Sequence, residues 1–130
     1  MNDIADQILI YLLNLHSRVY RNKTGVTTPI FPYIVFRIES AINTMPSEDL
    51  YLNIYIYDDP GASVRVIETL ADTIDGDGNK ANPGGLNQKI INTTGLCLHF
   101  NREQRQHVEA NDLINAQMIN MRYVVRSYFK

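Results

Sequence analysis

The sequence predicts an α+β domain: an antiparallel β-sheet of about four strands with two main helices packed on one face. Three observations carry this. Two stretches, around residues 3–16 and 59–75, repeat apolar residues at helical spacing. "PYIVFRIES", "LYLNIYIY" and "AQMINMRYVVRSYF" instead alternate apolar and polar residues with the period of a strand. Their order is helix, two strands, helix, two strands, with short connections. At 130 residues the chain fits one domain, spanning 1–130.

The first helix starts at Asn2 or Asp3 as cap and presents Ile4, Ile8, Tyr11, Leu12 and Leu15 on one face to about His16. His16 sits at its C-terminal end, where an imidazolium is favourable. A basic arm follows in "SRVYRNKTGVTTPIFP", with Arg18, Arg21 and Lys23 and a short extended piece at Val19 and Tyr20. In the next strand Ile34, Phe36 and Ile38 oppose Tyr33, Val35, Arg37 and Glu39. "NTMPSED" supplies turn residues. The strand after it sets Leu50, Leu52, Ile54 and Ile56 against Tyr51, Asn53, Tyr55 and Tyr57. The aliphatic side belongs on the helices. The tyrosine side suits a surface that is wet at one time and buried at another.

"DDPGASVRVIETLADTIDG" carries helix punctuation, with Asp59 as cap, Pro60 at the first turn and Gly76 past the end. Ser63, Val64, Ile67, Leu70, Ala71 and Ile74 form the buried stripe, and Glu68, Asp72 and Asp75 an acidic outer face. From Asp58 to Asp77 six acids stand against the single base Arg65. Asn79 to Asn87 reads as a mobile Gly/Pro/Asn loop. A short helical or extended piece then leads into a strand through Leu96, Leu98 and Phe100. "QRQHVEAND" reads as a loop, and the last strand sets Ile119, Met121, Tyr123, Val125 and Phe129 against Asn120, Arg122, Val124 and Arg126.

Composition excludes several classes. With 45% apolar and 20% charged residues the chain folds rather than staying disordered. A formal charge of −2 gives no general attraction to nucleic acid or anionic membrane. The single Cys97 predicts a buried thiol in a reducing compartment. The start lacks a basic region and a cleavage site, and no run approaches the ~20 apolar residues of a membrane span. The expectation is a soluble intracellular chain.

Candidate chemistry is sparse. A calcium loop from Asp75 finds ligands at Asp77 and Asn79, but Lys80 and Leu86 occupy the positions that demand glycine and a bidentate acid. His99, Glu103 and His107 would share one face of a helix and hold a metal, the basis of a small metal-dependent enzyme as an alternative function. The alternation around them favours a strand, which scatters them. No nucleophile elbow or phosphate loop is present. No catalytic residue, metal or cofactor is therefore expected. Arg122, Arg126 and Lys130 form a basic row, read as solvated or partner-facing.

In order, "RVY", "FPYIVFRI", "DLYLNIYIYDDPGASVRVIETLADTID" and the closing "MRYVVRSY" resemble the tail-completion or tail-terminator proteins of long-tailed bacteriophages. The resemblance covers most of the chain and rests on soft patterns of residue type. It implies a non-enzymatic virion protein, assembled in the host cytoplasm, that forms a ring, usually hexameric. Such a ring caps the tail tube, stops its polymerisation and meets the head connector or stopper. DNA passes through its lumen without sequence-specific binding. Another neck or head-completion adaptor is the nearest alternative. "IDGDGNKANPGG" and "NREQRQHVEAND" depart from the family pattern, as variable hairpins. A ring needs two different complementary surfaces on each subunit. The basic arm (Arg18, Arg21, Lys23, Arg37) and the acidic helix (Glu68, Asp72) are candidates to meet between neighbours. Tyr51, Tyr55, Tyr57, Arg122 and Arg126 complete the expected interface.

Overall fold

A computed structural model describes residues 2–22, 30–44, 47–76, 85–108 and 116–129. The elements run α1 (Asn2–Leu13), β1 (Val19–Arg21), β2 (Tyr33–Thr44), β3 (Ser47–Asp58), α2 (Val64–Asp75), β4 (Ile90–Asn92), β5 (Leu96–Val108) and β6 (Gln117–Phe129). They build one six-stranded sheet in the order β1-β2-β3-β6-β5-β4. β1 pairs parallel to β2, and every other neighbouring pair is antiparallel. The expected sheet of about four antiparallel strands is thus corrected to six strands in a mixed sheet. The two extra strands, β1 and β4, have three residues each, too few for alternation to declare itself.

Two strands also run further than their hydrophobic patterns. β2 and β3 stay paired to Thr44 and Ser47, so "NTMPSED" is mostly hairpin arm rather than turn. β5 stays paired with β6 to Val108, through residues read as loop. Along β5 the ladder continues through mostly exposed residues, where no buried face imposes alternation. A bulge between Arg102 and Gln104 also shifts the facing of β5 halfway along.

One face of the sheet carries the core. Ile34 and Phe36, Leu50 to Ile56 on alternate positions, Leu96, Leu98 and Phe100, and Ile119 to Val125 on alternate positions meet Ile4, Ile8 and Leu12 of α1 and Ile67, Ala71 and Ile74 of α2. The Tyr11 hydroxyl donates to the Ile74 carbonyl at 3.0 Å, tying the helices together. Among the described residues no helix is long and apolar enough to cross a membrane. Cys97 is half-buried rather than buried, because alternation turns it away from the core between Leu96 and Leu98. α1 stops at Leu13, short of His16, whose Nε2 donates to the Pro32 carbonyl at 2.8 Å.

The start of α2 differs from expectation. Asp59 and Pro60 form a turn, in which Asp59 Oδ1 accepts from Gly61 N–H and the Asp59 carbonyl from Ala62 N–H. Ser63 is the cap, its Oγ accepting from Arg65 N–H. Pro-Gly favours a turn over a helix start, and Ser63 is the next residue able to cap. Ser63 and Val64 are accordingly exposed. Gly76 ends the helix as expected, at φ 56°, with its N–H on the Asp72 carbonyl.

Asp75 is the largest departure. It is 1% exposed, not part of the acidic outer face. Its Oδ1 accepts from the Tyr123 hydroxyl and its Oδ2 from Arg102. Four residues beyond Ala71, it continues the buried stripe. Burial, with the Asp75 carboxylate nearby, pushes the Tyr11 phenol up to about 12. Burial raises Tyr123 further still, and its hydrogen bond to Asp75 adds to this. Unfolded, both phenols titrate near 10. Above that pH the unfolded chain sheds protons that the folded chain keeps. Stability is therefore expected to hold below pH 10 and to fall as pH rises through 10 towards 12. Urea unfolding from pH 8 to 11.5 reads this directly, and a curve flat across pH 10 to 11.5 refutes it.

Candidate functional site

Among the described residues no helix lies over the opposite face of the sheet. Cross-strand register assembles its side chains in rows: Tyr33 beside Tyr57, Val35 beside Tyr55 and then Asn120, Arg37 beside Asn53 and then Arg122, Glu39 beside Tyr51 and then Val124. Phe31, Tyr33, Tyr57 and Tyr55 stack in sequence, with ring centroids 5.6, 5.0 and 6.4 Å apart and planes within about 25°. Tyr20 meets Tyr33 edge-on at 6.3 Å. Stacking packs these rings into a continuous aromatic strip along one end of the open face.

Two guanidinium groups extend the strip. Arg122 lies 3.9 Å above the Tyr51 ring and Arg37 5.8 Å above the Tyr55 ring, both within cation–π range. Arg126 grips Asp49 through Nε and Nη2 at 3.0 and 3.3 Å. Burial raises the Tyr57 phenol, and the neighbouring Tyr33 and Tyr55 reinforce this against the opposing pull of Arg37. Burial alone raises Tyr33. These phenols stay neutral at physiological pH, as a packing layer requires.

The layer shields what lies beneath it. Val35 is 6% exposed and Asn53 7%, although no helix covers them. Asn120 Oδ1 is buried with no hydrogen-bond partner among the described residues, and Arg122 Nε reaches only the Glu103 carboxylate, at 3.9 Å. Unpaired buried polar atoms are rare in finished interiors.

Of the residues expected at an interface, the structure brings Arg37, Tyr51, Tyr55, Tyr57, Arg122 and Arg126 together on this face. It separates the others. Arg18 and Arg21 flank or lie in β1 at the sheet margin, with Arg18 Nε donating to the Pro32 carbonyl. Lys23 lies outside the described residues, as does Lys130. Glu68 and Asp72 sit on the exposed side of α2, in the helical layer. Asp72 is bonded within the chain to Arg105 at 2.7 Å, and Arg105 also reaches the Glu68 carbonyl. The basic arm is therefore not one surface, since Arg37 turns to the open face and bonds the Asn22 carbonyl.

Sequence reasoning missed Tyr20, Phe31 and Tyr33. Their signal was the register that sets Tyr33 against Tyr57, which becomes visible once β2 and β3 are read as a hairpin. The alternative metal triad does not assemble. His99 pairs with Arg126 on the open face and His107 with Ile119 on the core face, the bulge having intervened. Among the described residues no group of three His, Cys, Asp or Glu side chains is placed to hold a metal. Of the calcium-loop positions, Asp75 is committed to Tyr123 and Arg102, and Leu86 is fully buried. Asp77, Asn79 and Lys80 lie outside the described residues.

Compared with known proteins, the chain matches no family model and no curated protein.

Proposed function

We propose that the chain is a tail-terminator-type structural protein of a long-tailed bacteriophage. In this reading it forms a ring, hexameric by resemblance, that caps the tail tube, stops tube growth and meets the head connector or stopper. DNA passes through the lumen without sequence-specific contact, and neither metal nor cofactor takes part. One observation carries the reading: a sheet face without a helical cover among the described residues, ordered into a tyrosine–arginine layer. Tyrosine and arginine are the residues that dominate protein–protein contacts.

The charges on that face favour a protein over a polyanion. Arg37, Arg122 and Arg126 are balanced by Glu39, Asp49 and Glu103, and Asp49 already neutralises Arg126. A nucleic-acid surface needs an unbalanced basic excess.

The test is a tube-growth experiment. The wild-type chain added to polymerising tail-tube protein is expected to give short tubes, each with a ring at one end by electron microscopy. Tyr55→Ser with Tyr57→Ser keeps the fold, because both side chains lie outside the core, and weakens capping at least ~10-fold. Tubes that grow without limit beside folded wild-type chain refute the reading.

A further inference from the structure

β1 and β4 are the outermost strands of the sheet, and each covers only part of the strand it borders. β1 pairs with residues 34–36 of β2. Past Arg37, β2 has no outer neighbour among the described residues. β4 pairs with residues 97–99 of β5, and Lys89 and Asn87 reach Phe100 and Arg102. From Gln104 to Val108, β5 likewise has no outer neighbour among the described residues. With β3 as a ruler, β1 lies level with Ile54 to Ile56, and so does the open half of β5. β4 lies level with Ser47 to Asp49, and so does the open half of β2. Among the described residues, the two margins of the sheet are complementary steps.

We propose that neighbouring copies of this chain join edge to edge through these steps. β1 of one copy fills the open half of β5 in the next, and β4 of that next copy fills the open half of β2 in the first. This joint presupposes the ring proposed above, and names the surface that closes it.

Strand direction fits. Following the pairings across the sheet, β1 and β4 point the same way. Placed end to end, they occupy a single strand position between β2 and the neighbour's β5. Peptide polarity fits as well. Ile34 N–H donates to the Arg18 carbonyl and Asn22 N–H to that of Phe36, so Tyr20 turns its peptide groups to β2 and Val19 turns its own outward. Phe100 and Arg102 donate away from β6. Carrying the alternation along β6 past the bulge leaves Arg105 and His107 with their peptide groups outward. At matched levels Val19 faces His107 of the next copy, outward group to outward group, and Tyr20 faces Gln106.

At this alignment both open halves gain a partner strand, and open edges are what sheets avoid. Its two surfaces differ, so it is head-to-tail, the kind of joint from which cyclic rings are built. Arg21 arrives beside Arg105 of the next copy, a like-charge contact that Asp72, bonded to Arg105, and the exposed Glu68 offset.

Paired cysteines test the joint. Within one chain β1 and β5 are four strand spacings apart, roughly 19 Å, beyond the ~7 Å that a disulfide spans. Tyr20→Cys with Gln106→Cys, oxidised after assembly on tube protein, is expected to give a covalent ladder ending at the ring size. Each single variant, which retains Cys97, gives none. Rings of wild-type size without a ladder overturn the joint and leave the ring reading standing. Absence of any wild-type ring on tube protein overturns both. As a second measurement, His107→Pro removes an outward N–H and no bond to β6. It is expected to fold with an unchanged circular dichroism spectrum, and to need at least ~10-fold more protein to form rings. A folded His107→Pro that assembles like wild type overturns the joint.

Discussion

Asp75→Ala is expected to lose about 2–4 kcal/mol of stability, from a buried hydroxyl left without its acceptor and the space the carboxylate vacates. A single carboxylate here serves two donors from different strands, Tyr123 on β6 and Arg102 on β5. It therefore pins the last turn of α2 to the sheet. Without it the Tyr123 hydroxyl is left fully buried, with only the Met121 sulfur at 3.9 Å as a weak acceptor. Arg102 suffers less, because its side chain is 35% exposed and can turn to water. Most of the loss thus comes from tyrosine desolvation and the vacated space. Tyr123→Phe is the comparison: Asp75 keeps Arg102, and the penalty falls to about 1–2 kcal/mol. Urea unfolding measures both. For a domain whose total stability is about 5–15 kcal/mol, Asp75→Ala lowers the midpoint sharply, with the slope unchanged. A loss under ~1 kcal/mol would show that the network is decorative.

The same residue shows how far the sequence could be read. Ile67, Ala71 and Ile74 announced their face by spacing, and Asp75 sits in that spacing too. A charged side chain argues for the surface, and only the tertiary partners Tyr123 and Arg102, 48 and 27 residues away, make its burial tolerable. The long central strands were legible because one face is buried along their whole middle. Strand continuations at 101–108, 43–44 and 47–48 were not, since residues 101–108 are mostly exposed polar side chains without a continuous buried face and the others continue the ladder by backbone pairing. β1 and β4 needed three-dimensional neighbours to exist as strands at all. The candidate site was half legible: alternation placed Tyr51, Tyr55 and Tyr57 on one face, and Arg37 and Arg122 on faces of their own strands. Only register could stack Phe31, Tyr33 and Tyr57, or bring Arg122 over Tyr51. Net charge alone could not show that Asp72 of the acidic helix also bonds Arg105 of its own chain.

Gly85→Ala is the second large effect, and it concerns the stretch that reads as a wandering loop. Gly85, Leu86 and Asn87 are anchored at the end of α2: Leu86 N–H donates to the Ile74 carbonyl at 2.7 Å and Asn87 N–H to that of Asp75 at 2.9 Å. These bonds satisfy helix carbonyls that would otherwise lack partners. Leu86 is fully buried in the core, and Asn87 Oδ1 accepts from Arg102 N–H, so three residues staple α2 to β5. The chain passes so close that a Cβ on Gly85 would overlap Gly76 Cα and N and the Asp75 carbonyl. All three are backbone atoms, which cannot rotate aside. Overpacking costs about 1–3 kcal/mol where side chains can adjust, and here the staple itself must lift. A loss at or above the top of that range is expected for Gly85→Ala. Gly95→Ala is the control, since nothing lies within 4 Å of its added methyl, and it should change stability by no more than ~0.5 kcal/mol. Equal urea midpoints for the two variants would mean that the return of the chain to α2 is looser than its hydrogen bonds require. A large gap between them locates the anchoring contact at Gly76.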